Sequence, residues 1–589
     1  MCGICGEMQL KGNPASIEHI QAMLPKLAKR GPDAEGIVER QPVVFGHRRL
    51  SIIDLSDKSK QPMVSGQQVL VFNGTIYNYK ILRRELQAEG HTFVSQGDTE
   101  VILKAYAQWG EDCVHHLIGM FAFALWDGQR QCVFLARDRM GIKPLYYTFT
   151  DGCFRFASNT QALLAVPGVD TEIDALALHH QFTLHAVIPA PRTLLKGIRK
   201  LAPAHRMTVQ LDGRYESNPY WSLQATRPET ALAESEWRER IEQALMVAVK
   251  RRLDIADVPV GVLLSGGLDS SLLVGLLAQC GVQDLNTFSI GFEDVSGEQG
   301  NEFEYSDQVV ERFDTNHHQY LIPNSDVLRR LPDAVQQMAE PMFGQDAVAF
   351  YLLAEQVSKE IKVVQSGQGA DEVFAGYFWY PRMHHGLGHS VRRFADHYFD
   401  RDHDEFLSMM QPKYQGADVT SALVHERLQA AGADEYIDQV LRFDVTTLVV
   451  DDPVKRVDNM TMAWGLESRV PFLDHELVEV AARMPPSLKL QNNGKYMLKQ
   501  IARGVVPDAV IDRAKGYFPM PALKYVKGEF LSFMQTVLNS ESCIKRGLYQ
   551  RDYVNQLLRE PQQHFTRLNG SKLWHLALVE YWLQLNVDP

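Results

Sequence analysis

The stretch VPVGVLLSGGLDSSLLVGLLAQC, residues 258–280, runs an apolar strand into two glycines, three serines and an acid, and then into an apolar helix. Gly266 and Gly267 let the backbone turn tightly and approach a ligand closely. The hydroxyls of Ser265, Ser270 and Ser271, with the amides at a helix N-terminus, then face an anion. No Gly-Lys-Ser/Thr follows, so this is not a Walker A loop, and it is not G-x-G-x-x-G. Asp269 sits inside the cradle, where a carboxylate repels phosphate unless a hard cation lies between them; Mg2+ accepts one or two carboxylates together with phosphate oxygens. A second glycine–acid cluster, SGQGADEVFAGY (366–377), follows another β-like run, IKVVQ. Strand C-termini share one edge of a parallel sheet, so Asp371 is expected to meet Asp269 over one metal site.

Around this loop the texture is strand, helix, strand, helix. EWRERIEQALMVAVKRRL (236–253), SDQVVERF (306–313) and AVAFYLLAEQVSKEI (347–361) read as helices between the buried strands VPVGVLLS, LNTFSIGF and IKVVQSG. That alternation predicts an α/β unit with a doubly wound parallel sheet over residues 231–589. Residues 2–215 read differently, as short alternating strands such as VLVFNG, GMFAFALWD, QCVFLARD, PLYYTF and CFRFAS, with few helices, of which YNYKILRRELQAEG is one. An α+β unit of layered antiparallel sheets is expected there. The polar segment 216–230, with Pro228, is the expected linker.

The bulk numbers exclude several classes. At 589 residues the chain exceeds a single core, and a net charge of −12 argues against nucleic acid as a partner. No apolar run is long enough to span a bilayer, and no charged-then-apolar leader is visible, so no membrane partner is expected. Seven scattered cysteines make no disulfide framework, and a reducing cytoplasm is the expected compartment. Cys2 and Cys5 form a lone C-x-x-C without the second pair or nearby histidine that a metal or redox site needs. The opening MCGICGE instead offers another chemistry. A small second residue lets the methionine be trimmed, leaving Cys2 with an α-amine of pKa about 7.7–8 as a base beside its own thiol.

The loop S-G-G-x-D-S resembles the pyrophosphate loop of ATP pyrophosphatases. MCGICGE, RGPD (30–33), GHRRLSIIDLS (46–56), FNGTIYNY (72–79), GDTEVIL (97–103) and GMFAFALWD (119–127) resemble, in order and spacing, a class II, N-terminal-nucleophile (Ntn) glutamine amidotransferase. Together they are similar to the glutamine-hydrolysing asparagine synthetase family over essentially the whole chain. The resemblance implies an α+β Ntn glutaminase domain followed by an α/β ATP-pyrophosphatase domain. It implies that Cys2 attacks glutamine, that Arg49 grips the substrate's α-carboxylate, that Asp98 and position 75 bind its α-ammonium, and that Asn73 and Gly74 stabilise the oxyanion. It further implies ATP contacts at Leu263, Ser265, Gly266, Gly267, Asp269, Ser270, Ser271, Ile290, Ser366 and Gly367. Mg2+ would sit on Asp269 and Asp371, and Lys495, in NGKYMLKQIAR, would neutralise charge during adenylation. The substrates are small molecules, and the family admits a homodimer. GLESRVPFLD (465–474) and RAKGYFPMP (513–521) are further family marks, read as framework.

The chain also departs from the family pattern. Thr75 replaces the acid of N-G-E-I-Y-N, so one ammonium contact falls to Asp98 alone or is met differently. Gln368 replaces the first glutamate of S-G-E-G-x-D-E, and an amide neither takes a proton at pH 7 nor holds an ammonium by charge. Asn159 and Asn459 stand where glutamate and arginine are usual. Together with VVQSGQGADEVFAGYFWYP, EYSDQVVERFDTNHHQYL and MAEPMF, these changes resemble the bacterial N-acetylglutaminylglutamine amidotransferases, which amidate a capped dipeptide to an osmoprotectant. Gln368 is thus an acceptor-site candidate. Two other readings stay open: aspartate as acceptor, and a non-catalytic relative, against which the intact Cys2, Arg49, Asp98, Asp269, Asp371 and Lys495 weigh.

Overall fold

The computed structural model describes residues 2–10, 14–295, 297, 299–513 and 520–588. The first unit stacks two six-stranded antiparallel sheets. One carries Gly3–Gln9 between Cys153–Ala157 and Val43–Arg49, and the other carries Gln68–Ile76 against Gly119–Asp127. Successive side chains of a strand point to opposite faces, and the Gly3–Gln9 strand follows this rule. Ile4 and Met8 enter the core between the sheets with Phe45, Val71, Ala124 and Phe156, while Cys5 joins the core on the outer side. Phe45 and Phe156 meet edge to face at 5.2 Å within that layer. The expected linker begins as structure: Tyr215–Pro219 is an exposed edge strand paired with His205–Gln210. Its alternation is polar on both faces, which is why it reads as a connection.

The second unit is built on a parallel sheet of five strands, in the order Asn316–Ile322, Asn286–Phe292, Val260–Leu263, Val363–Gln365, Glu467–Arg469. The chain starts in the middle strand and winds outward in both directions. The order therefore reverses between Val260–Leu263 and Val363–Gln365, and open α/β sheets bind ligands at the carboxyl ends of such a pair. Ser366 follows its strand directly, and Ser265 follows the other after one intervening residue. The outermost strand, only three residues long, carries too little pattern to be foreseen from sequence.

The two units share buried charge. Asp458 of the helix Lys455–Met462 receives Arg30 Nη1 at 2.9 Å and Lys143 Nζ at 3.1 Å, all three being buried. Lys200 Nζ lies 2.9 Å from Glu340 and also pairs with Asp451. Removing one partner of such a pair leaves an uncompensated buried charge, at a cost of about 3–5 kcal/mol. No helix among the described residues is long and apolar enough to cross a membrane.

Candidate active site

Two cavities collect nearly all the residues singled out by sequence. The smaller, about 30 Å³, lies in the first unit and is lined by Cys2, Arg49, Phe72, Gly74, Thr75, Asp98 and, from the second unit, Glu467. Cys2 precedes the first strand and is almost fully buried. Its nitrogen, the atom that methionine trimming would turn into an amine, donates to Asn73 Oδ1 at 3.1 Å. With its oxygen so engaged, Asn73 turns its amide nitrogen the other way, and that buried Nδ2 has no partner among the described residues. A donor held in this manner suits a developing oxyanion. Gly74 has φ +152°, and a Cβ there would run into the Met120 carbonyl, so the position admits only glycine. Burial raises the pKa of the Cys2 thiol, which therefore rests neutral and needs a base for attack.

Arg49 ends the strand Val43–Arg49; its Nη1 and Nη2 donate to the carbonyls of Ser56 and Asp54 at 3.1 and 2.5 Å, which fixes the fork while each nitrogen keeps a second hydrogen. Asp98, at the start of the helix Thr99–Trp109, accepts from the Ile76 amide at 3.0 Å. Burial pushes its pKa up to about 6, against the pull of that hydrogen bond.

The larger cavity, about 700 Å³, lies at the sheet's switch point and is lined by Leu263, Ser265, Gly267, Asp269, Ser270, Ile290, Ser366, Gly367, Gln368, Asp371 and Lys495 among others. The loop is preformed: Ser265 N donates to Ser270 Oγ at 3.2 Å and Gly267 N to Ser265 Oγ at 3.3 Å, ahead of the helix Leu268–Gln279. Two of the expected ATP-contact residues lie outside this lining. Gly266 has φ +74° and turns the chain against Glu302 and Tyr305, and Ser271 is fully buried behind the loop. Lys495 Nζ sits 2.5 Å from Asp269 and 2.7 Å from Asp371, so the two acids do converge, over an ammonium. Burial opposes the lysine's charge, but the two carboxylates outweigh it and raise its pKa. Two acids that can clasp one cation in this way fit Mg2+ as well. Gly376 makes the approach possible, because a Cβ there would collide with Asp371 and Lys495.

Several charged residues of this cavity were not singled out by sequence. Arg513 pairs with Glu302 at 2.8 Å beside the serine loop, and Arg456 lies between Asp346 at 3.0 Å and Asp452 at 2.5 Å. Arg513 lay in a quoted motif, RAKGYFPMP, of which residues 514–519 fall outside the described residues. Glu467 lay in the motif read as framework, and no local signal in that motif points across to the other unit.

Comparison with known proteins agrees with this layout. A family model described as "Asparagine synthase" matches residues 240–584, and one described as "Glutamine amidotransferase domain" matches residues 1–221. Asparagine synthetase (glutamine-hydrolyzing) 3 of Bacillus subtilis is 31% identical over 99% of this chain and 98% of its own length. Asparagine synthetase (glutamine-hydrolyzing) 1 of the same organism is 31% identical over 100% and 97%. A putative asparagine synthetase (glutamine-hydrolyzing) of Mycobacterium tuberculosis is 33% identical over 94% and 92%. With an Ntn-type glutaminase unit of layered antiparallel sheets joined to a doubly wound parallel-sheet unit, the chain belongs to the asparagine synthase family of glutamine-hydrolysing carbon–nitrogen ligases.

Proposed function

We propose that Cys2 hydrolyses glutamine in the smaller cavity, and that the ammonia aminates a carboxylate activated as its adenylate in the larger one, yielding an amide, AMP and pyrophosphate. The observation that carries this reading is the convergence of Asp269, Asp371 and Lys495 beside the serine loop, in the same chain as a buried cysteine whose nitrogen is held by Asn73, itself carrying an unpartnered amide nitrogen among the described residues. In the smaller site the α-amine of trimmed Cys2 takes the thiol proton, the thiolate attacks the side-chain amide, and Asn73 Nδ2 with the Gly74 amide holds the oxyanion. Arg49 orients the substrate by its α-carboxylate. In the larger site the loop amides and serine hydroxyls hold the leaving pyrophosphate, and Lys495 follows its developing charge. Asp269 and Asp371 would hold Mg2+, which would supply neutralisation of the phosphate charge.

The acceptor we propose is N-acetylglutaminylglutamine. Gln368 lines the larger cavity in place of a glutamate, and a capped dipeptide has no free α-ammonium for a glutamate to meet. Arg456, buried in the same wall, suits an acceptor carboxylate. The relatives' names favour a second reading, aspartate as acceptor. Pyrophosphate release with glutamine, ATP–Mg2+ and either acceptor decides between them. Turnover on aspartate alone refutes the dipeptide, and formation of ADP and phosphate in place of AMP refutes the adenylate.

A further inference from the structure

A group of metal-type side chains lies outside both active cavities. His179 sits in the helix Ala175–Thr183 of the first unit, and His403 opens the helix His403–Met409 of the second. Asp418 caps the helix Val419–Gln429, its Oδ1 accepting from the Ser421 amide at 2.9 Å. None of the three lines the glutamine or the nucleotide cavity. Yet they bring two ring nitrogens and a carboxylate oxygen within 4.8 Å of one another. His179 Nε2 lies 2.9 Å from His403 Nδ1 and 3.8 Å from Asp418 Oδ1. Ligand atoms about 2 Å from a tetrahedral zinc stand about 3.3 Å apart, a value that these two separations bracket.

We propose that His179, His403 and Asp418 form a Zn2+ site, its fourth position left to water, which ties the glutaminase unit to the helices 403–429 of the synthetase unit.

The surroundings support this. His179 is buried while His403 and Asp418 are half-buried, so the group has one anchored ligand and an approach from solvent. His179 Nδ1 lies 2.6 Å from the hydroxyl of Thr420, which also meets His180 Nδ1 at 3.0 Å. A hydroxyl donates one hydrogen, so when Thr420 gives it to His180 it accepts from His179 Nδ1. Nε2 of His179 then carries the lone pair, on the side of the other two ligands. An outer partner that fixes tautomer and ring in this way accompanies most ligating histidines. Without metal, one shared proton joins the two rings. Zn2+ takes its place, and His403 shifts its hydrogen to Nε2, leaving Nδ1 free to bind. Two imidazoles with one carboxylate favour zinc over Mg2+, which prefers oxygen ligands. His179 and His403 are 224 residues apart, so the metal closes a long loop, where such a clip stabilises most. The other group of this type, His185, Asp400 and His575, fails on charge: Arg401 Nη1 stands 3.4 Å from His575 Nδ1 as a resident cation.

The test takes the full chain, strips it of metal with a chelator, and titrates Zn2+ against a chromophoric competitor with Mg2+ in excess. Wild-type protein is expected to bind one Zn2+ that His403→Ala weakens by at least about a hundredfold. Asp418→Asn keeps the helix cap, and Thr420→Val removes only the outer partner. Each is expected to weaken binding by about ten- to a hundredfold. Co2+ in place of zinc should show the strong visible absorption of a four-coordinate ion, and His403→Ala should lose it. Zn2+ should raise the unfolding midpoint of the wild type and leave that of His403→Ala in place. Circular dichroism checks that each variant is folded. A wild type that binds no Zn2+ in the presence of Mg2+ overturns the inference. So does Zn2+ held as tightly by folded His403→Ala and Asp418→Asn, since the metal then sits elsewhere on the chain.

Discussion

The two cavities hold their charged side chains by opposite means. In the glutaminase site the side chains that the first unit contributes are moored to the backbone: Arg49 to two carbonyls, Asp98 to the Ile76 amide, Asn73 to the Cys2 nitrogen. In the synthetase site they are moored to each other, Lys495 to two aspartates, Arg513 to Glu302 and Arg456 to Asp346. Backbone bonds are lost only if the fold opens, so the first site is built for one small ligand in one pose. Side-chain ion pairs can be exchanged for a ligand's own charges, so the second site suits a polyphosphate and its cation. The contrast is one of rigid recognition against replaceable pairing.

That contrast can be broken at its strongest point first. Cys2→Ala is expected to lower glutamine-driven synthesis by at least about 10⁴-fold while ammonium salts still support amide formation, measured as AMP release with each nitrogen source. Parallel loss with both sources would erase the division of labour. Lys495→Ala should reduce pyrophosphate release by about 10²–10³-fold with either nitrogen source and spare glutamine hydrolysis. Asn73→Ala should cost glutaminase turnover by a similar factor, seen in kcat more than in KM. A finer probe is pH. Asp98 holds an ammonium only when ionised, and its pKa lies near 6. kcat/KM for glutamine should therefore fall below about pH 6 instead of near 4, and Asp98→Asn should remove that limb. The smallest effect concerns stability. Glu467 and Asp458 are both held below their ordinary values, by Arg469 and by Arg30 with Lys143, against the burial that would raise them. Their contribution is whole above the unfolded pKa near 4–4.5 and is lost as pH falls towards the folded values, so the unfolding midpoint should drop through that acid window. A midpoint flat across it would mean that the interdomain charges are spectators.

What the sequence disclosed follows the same division. The serine loop is contiguous, so its glycines, hydroxyls and acid could be read as one device, and the parallel sheet follows from the alternation around it. Asp269 and Asp371 are far apart in sequence, but each follows a recognisable strand, and their meeting at one sheet edge is a consequence of parallel topology; Lys495, which precedes a helix outside that sheet, joins them only in the folded structure. Gly266 and Ser271 look equivalent to their neighbours in the string; only the turn's geometry assigns one to backbone conformation and the other to the interior. Glu467 and Arg456 carry no local signature, because each meets, besides a neighbour in sequence, a group at least a hundred residues away. Asn459, one of the departures, has a structural use: its Oδ1 accepts from the Ala339 amide at 2.8 Å.

The helix Lys455–Met462 reaches towards both cavities. Arg456 projects into the cavity of the synthetase unit, and two positions later Asp458 holds Arg30, whose Nε donates to the carbonyl of Cys2 at 3.3 Å. An α-helix is stiff over so short a span, rising about 3 Å between the two residues. The wall of the larger cavity and the backbone of Cys2 are thus tied to neighbouring positions of one short, stiff segment, so the two cavities share a single mechanical support across the junction between the units.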